Sequence, residues 1–248
     1  MSGDLVSLHM LLIAAGPPDQ PLWREAAAMA SVPIELEVLE VARAAAAIAR
    51  CTADFCVIDA SLSDAQKAIL IKAASAAQPR PLMFVSAPAG SARVEGIDGT
   101  LTKPNNVAEA RKLLQLCIRA RLPTRVLIVD DSGTMRSIVR KTLLASHFAF
   151  DIHEAAEGNA ALERLRSGKF GMVFLDYNMP GLNGFETLAE IKRLCPNVAV
   201  VMMTSTIDNA VADRAHAAGA HAFLKKPFYP ADIDALVERH YGLNASRG

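Results

Sequence analysis

Five positions in the second half of the chain carry side chains that could act together on a phosphoryl group or a metal ion. They are the adjacent pair Asp130 and Asp131, then Asp176, Thr204 and Lys226. Forty-five residues separate Asp131 from Asp176, 28 separate Asp176 from Thr204 and 22 separate Thr204 from Lys226. Each ends or directly follows a short apolar run that reads as a β-strand. In an open parallel sheet, ligands bind beyond the carboxyl ends of the strands, so the five should share one rim. Three carboxylates held together raise one another's pKa unless a cation offsets them. Mg²⁺, a hard ion that seeks oxygen and keeps several waters, suits such a set. The chemistry that follows is phosphoryl transfer onto a carboxylate, with Asp176 as nucleophile and the metal neutralising the incoming oxygens. Thr204 and Lys226 complete the cradle, and Ser132-Gly133-Thr134 aims the positive end of a helix at it. Singly, these residues have plainer readings. An Asp-Asp pair often caps a helix, an Asp before Asn-Met-Pro-Gly can open an Asx-turn, and a Lys before Pro says little. Their occurrence in this order at successive strand ends has no such simple explanation.

The elements that must position them alternate apolar runs with amphipathic stretches, the mark of a parallel sheet covered by helices. Strands are predicted at Arg125–Val129, Phe150–Glu154, Met172–Leu175, Val198–Met203 and Ala222–Leu224. Helices are predicted at Thr134–Ala145, Asn159–Ser167, Gly184–Leu194, Asn209–Ala217 and Pro230–Tyr241, with Gly168 and Gly219 as C-terminal stops. The first half repeats the rhythm, with strands near Ser7–Ala14, Ile34–Val38, Phe55–Ile58, Leu82–Val85 and Gly99–Leu101. Its helices fall around Leu22–Ala30, Ala42–Ala49, Asp64–Ala77 and Val107–Arg121. Two landmarks recur in step, a strand ending in Asp (FCVID and MVFLD) and a strand ending in Lys-Pro (TLTKP and FLKKP). This is the pattern of an internal duplication. Two domains are expected, residues 1–122 and 123–248, each a flavodoxin-like (βα)5 doubly wound α/β unit, joined by a linker too short for independent tumbling.

A chain of 248 residues accommodates two cores. The 26 basic and 26 acidic residues balance, 12 of each up to Leu122 and 14 of each after it, so neither half has the basic excess of a nucleic-acid binder. The four cysteines, Cys51, Cys56, Cys117 and Cys195, are scattered without a C-x-x-C pair, which fits buried thiols in a reduced cytoplasm. The opening segment has only a short apolar core and no basic flank before PPDQP. It reads as a first strand rather than a signal peptide or a membrane span, which would need ~20 apolar residues.

The segments VLIVDDSGTMRSIVRKTL, MVFLDYNMPGLNGFETLAEIK, VAVVMMTS and AHAAGAHAFLKKPF, with the spacings between them, resemble the CheY-like receiver domains of response regulators. The resemblance covers residues 124–241. It implies Asp176 as phosphoacceptor and Asp131, Asp176 and the backbone carbonyl of Asn178 as direct Mg²⁺ ligands, with Asp130 acting through water. It further implies Thr204 as the switch hydroxyl, Phe223 as the switch aromatic, Lys226 as the phosphate-contacting lysine and a cis bond before Pro227. Asn183 departs from the family's usual Asp. The first half departs further, with Ala14, Ala15 and Gly16 in place of the acidic pair and Thr100 in place of the aromatic, although Asp59, Ser86 and Lys103 remain. Its Ser86–Lys103 segment is 17 residues against 22, with little room for a fourth helix, and should bare sheet edge or helix surface.

The expectation is a response regulator with a degenerate first receiver, an intact second one and no separate output domain. Its layout resembles the tandem receivers of diguanylate cyclase regulators. Its partners would be a histidine kinase or histidine phosphotransferase and a downstream protein, with a possible homodimer and no nucleic acid or membrane. It would not itself be an enzyme. A haloacid-dehalogenase-like phosphatase would also use a strand-end Asp176, but wants a second Asp where Asn178 stands. A nucleotide-binding fold would need a glycine-rich loop that is missing after either first strand.

Overall fold

A computed structural model of the chain describes residues 7–14, 16, 18–205 and 209–243. Ala15, one of the three residues standing for the acidic pair of the first half, lies outside the described residues. Two compact units are present, Met1–Leu122 with Glu238–Gly248, and Pro123–Val237. Each holds one five-stranded, all-parallel sheet.

The first unit runs β1 (Leu8–Ile13), α1 (Asp19–Ala28), β2 (Ile34–Leu39), α2 (Val41–Ala49), β3 (Phe55–Asp59), α3 (Asp64–Ala76), β4 (Leu82–Ala87), β5 (Gly99–Thr102) and α4 (Val107–Arg121). Its strand order is β2-β1-β3-β4-β5. Alternate residues of a strand face opposite sides of the sheet. Leu11, Ile13, Cys56, Ile58, Met83 and Val85 join one core with Ile48 of α2 and Leu70 of α3. Their neighbours Met10, Leu12, Phe55, Val57 and Phe84 are also buried, so both faces are covered, as a parallel sheet requires.

The second unit runs β6 (Thr124–Val129), α5 (Gly133–Leu144), β7 (Phe150–Ala155), α6 (Gly158–Ser167), β8 (Met172–Asp176), α7 (Gly184–Leu194), β9 (Ala199–Thr204), α8 (Asn209–Ala217), β10 (Ala222–Lys225) and, as far as Val237, α9 (Pro230–Tyr241). The order β10-β9-β8-β6-β7, counted from its own first strand, is the same 2-1-3-4-5 arrangement. Both units are therefore doubly wound and flavodoxin-like, and the strand order reverses beside the first strand, where such folds bind ligands.

Two local expectations change. Helix α1 starts at Asp19, three residues before the predicted Leu22, because the Asp19 and Gln20 N–H groups already find the Gly16 carbonyl at 3.0 and 3.4 Å. Gly168 caps α6 in an extended conformation with φ −147°, whereas Gly219, with φ +90°, is the left-handed stop expected of it. Residues 88–98 form turns and no helix, as their shortness implied. That segment is not merely a gap: Ile97 is 5% exposed, and Val94 packs on the same core. Gly96 (φ +79°) lies so close to α3 that a Cβ there would stand 2.7 Å from Ile71 Cγ2. Helix surface is bared at Ile69, which is 53% exposed.

Candidate acidic site at the carboxyl end of the second sheet

The buried run Val126–Val129 delivers Asp130 to the sheet rim. Asp130 is 1% exposed, and its Oδ1 accepts the Ser132 N–H at 2.9 Å. Ser132 in turn caps α5, its Oγ accepting the Met135 N–H at 3.3 Å. Asp131, next in the chain, is exposed. Asp176 ends β8 and is buried in the rim. Lys226 follows β10, held by its N–H to the Thr204 carbonyl at 2.7 Å, and its bond to Pro227 is cis. Its Nζ donates to Asp130 Oδ2 at 2.7 Å and to Asp176 Oδ1 at 3.0 Å. Ligand oxygens of Asp130, Asp131 and Asp176 lie within 4.8 Å of one another, the one such acidic group among the described residues. A cleft of ≈ 520 Å³ opens over them, walled on its apolar side by Met135, Ile138, Val139, Pro227 and Phe228.

The electrostatics of the rim favour a further cation. Three carboxylates face one ammonium, and the donor set is all hard oxygen, which fits Mg²⁺. Burial holds the Asp176 carboxyl above its usual range, and the charge of Asp130 acts in the same direction. Lys226 and the Asn178 N–H oppose them without cancelling them. Thr204, at the end of β9, is buried. Phe223 sits in the next strand in register with Met202, half-buried, with its ring 6.2 Å from that of His216. Asn178 lines a neighbouring cleft with Tyr177, Asn183, Phe185 and Arg214. The departure at Asn183 has a structural role that Asp would also fill. It caps α7 in a capping box, its side chain accepting the Glu186 N–H at 3.0 Å while Glu186 accepts the Asn183 N–H at 3.1 Å.

The equivalent rim of the first unit has different chemistry. The Ala14 N–H binds the Leu39 carbonyl as the Asp130 N–H binds that of Ala155, so Ala14 occupies the position of Asp130. With φ +56° it takes a left-handed conformation uncommon for a residue with a Cβ. Lys103 Nζ lies 3.3 Å from Asp59 Oδ2 and 2.8 Å from Asp19 Oδ2. Burial acts upward on Asp59, but hydrogen bonds from Ser61 and Lys103 outweigh it and leave the carboxyl below its usual range. One ammonium therefore serves two carboxylates here, against three carboxylates for one ammonium in the second rim. Asp19 was not legible as a site residue, because a helix starting at Leu22 leaves it in a loop. Arg136, Arg140 and Glu154 were also missed. Arg136 Nη1 donates to the main-chain carbonyls of Asp130 at 2.8 Å and Asp131 at 3.3 Å, and the basic residues of α5 against the acidic residues of β7 were the available signal for this cluster.

Comparisons with known proteins bear on the family and the fold. A family model described as response regulator receiver domain matches residues 126–238. The chemotaxis protein CheY of Thermotoga maritima is 32% identical over 109 residues, 44% of this chain and 90% of that protein. The chemotaxis protein CheY-3 of Vibrio cholerae serotype O1 is 33% identical over 117 residues, 46% of this chain and 89% of that protein. A solved structure of a probable two-component system response regulator/GGDEF domain protein aligns with 95% of this chain and 98% of its own, with 18% identity and a TM-score of 0.53. That likeness extends the fold match across both units. Among the described residues no helix is long and apolar enough to cross a membrane.

Proposed function

The chain belongs to the family of response regulators of two-component signalling that carry receiver domains, and from that premise we propose that it accepts a phosphoryl group on Asp176. The observation that carries the reading is the charge imbalance of the rim: three carboxylates whose oxygens lie within 4.8 Å of one another, with one lysine between two of them. The donor would be the phosphohistidine of a histidine kinase or histidine phosphotransferase. A carboxylate oxygen of Asp176 attacks phosphorus and the N–P bond breaks. The departing imidazole nitrogen keeps the bonding pair and takes up a proton, leaving an acyl phosphate. Asp131 and Asp176, with the carbonyl of Asn178, would hold Mg²⁺ directly and Asp130 through water; bound there, the ion supplies charge neutralisation for the phosphoryl oxygens. Lys226, already hydrogen-bonded to Asp176, orients the carboxylate and then pairs with the new phosphate.

Phosphorylation adds roughly −1.5 to −2 charge and new acceptor oxygens. In the proposed switch the Thr204 hydroxyl turns toward the phosphate and Phe223, half-buried one strand away, moves into the space it leaves. The surface around β10 then changes for a downstream protein partner. The first unit keeps Asp59 and Lys103 but has one carboxylate fewer in excess over its ammonium than the second rim and no acidic pair after its first strand, which supports a degenerate receiver that takes no phosphate. Its proposed role is phosphate-independent contact with a kinase, an effector or a second copy, in the cytoplasm. Asn178, where a phosphatase of haloacid-dehalogenase type needs its general acid, argues against that enzyme.

The test is incubation with acetyl phosphate. With Mg²⁺ the intact mass should rise by one phosphoryl group, and with a chelator it should not. Equal labelling in both conditions would contradict the metal-assisted reading.

A further inference from the structure

Arg136 lies against the acid pair, yet its hydrogen bonds go to other atoms. Its Nη1 donates to the main-chain carbonyls of Asp130 and Asp131, and its Nε donates to Glu154 Oε2 at 3.1 Å. Glu154 is itself fixed from the other side, since Oε1 accepts Arg140 Nε at 2.7 Å. Among the described residues Arg136 forms no ion pair with the carboxylate of Asp130 or Asp131. An Arg in the first turn of α5 thus spends its carboxylate pairing on Glu154 and meets the acid pair through main-chain carbonyls alone. Released from Glu154, a guanidinium already bonded to the Asp131 main chain would form a charge-assisted pair with the exposed Asp131 carboxylate. That pair would occupy the oxygens a metal ion needs.

We propose that Glu154 is a positioning residue that holds the Arg136 guanidinium on the main chain and off the carboxylates, and so keeps the acidic rim open for Mg²⁺. The inference rests on the reading of that rim as a Mg²⁺ site. Arg140 anchors Glu154, and the main-chain carbonyls take Arg136 Nη1. The result is a cation that braces the backbone of the acid pair without neutralising it.

The experiment is titration calorimetry of the full chain with Mg²⁺ alone, with no phosphodonor. The wild type should bind, and Glu154→Gln should bind roughly 10–100-fold more weakly, the usual cost of losing an outer-shell partner of a metal site. Adding Arg136→Gln to Glu154→Gln should restore most of the affinity, because the competing guanidinium is gone. A merely structural brace behaves oppositely, since losing both partners then weakens binding at least as much as losing one. If Glu154→Gln does not fold, Glu154→Asp, which keeps the charge but shortens the reach, should show a smaller loss that Arg136→Gln again reverses. Unchanged affinity in the single variants, or no recovery in the double, overturns the inference while leaving the Mg²⁺ site standing. A wild type that binds no Mg²⁺ overturns both.

Discussion

Asp176 and Asp59 end equivalent strands, yet their carboxyls are displaced in opposite directions, and the difference lies in what surrounds each. Asp176 is buried beside Asp130 and shares its one lysine with it, so its ionisation costs the folded state free energy. Its folded pKa lies above the unfolded value, so stability falls as pH rises through that range. Asp176→Asn, measured by scanning calorimetry without Mg²⁺ at pH 7, should raise the melting temperature of its unit, and the gain should shrink toward pH 4. Asp59 has its pKa lowered, so it contributes stability that is present above the unfolded value and lost as pH falls through the folded one. Asp59→Asn should therefore lower stability at pH 7. Each change should amount to about 1 kcal/mol, since both rims are partly open to solvent. Two shifts of the same sign would contradict the assigned electrostatics. Much of this was legible in the sequence, because Asp130, Asp131, Asp176 and Lys226 each follow an apolar run whose end fixes their place. Asp19 and the Arg136–Glu154 pair were not, because their contacts depend on where α1 begins and on how α5 lies over β7.

At the scale of elements, the two sheets share strand order and the same exit geometry, but the first unit replaces a helix with residues 88–98. Periodicity made every strand legible within a residue or two. A loop's packing has no period, which is why Val94 and Ile97 were not foreseen as core residues while the missing helix was. Gly96 should be the sensitive point of this replacement. Its φ of +79° and the proximity of Ile71 mean that Gly96→Ala must strain the backbone and displace a packed side chain. A loss of roughly 1–3 kcal/mol is expected, read by denaturant unfolding. A neutral result would show that the loop is not held on α3. In the second unit, β9 and β10 carry the proposed switch. Thr204→Ala should still be phosphorylated, but a partner captured by the phosphorylated wild type should bind this variant with little phosphate dependence. Full phosphate dependence in Thr204→Ala would rule out the hydroxyl as the link.

At the scale of the whole molecule, the chain holds two receiver folds, one rim with three carboxylates to one ammonium and one with two. The repeat of strand-Asp and strand-Lys-Pro landmarks made the architecture legible. The difference between the rims was legible only in part, because the loss of the acidic pair is visible in the sequence while the pairing of Lys103 with Asp19 is not. The central claim is that a single carboxylate of the chain takes phosphate. Its most direct test is the intact mass of wild type, Asp176→Asn and Asp59→Asn after acetyl phosphate and Mg²⁺. One added phosphoryl group is expected in the wild type and in Asp59→Asn, and none in Asp176→Asn. Labelling that survives Asp176→Asn and vanishes in Asp59→Asn would contradict the account.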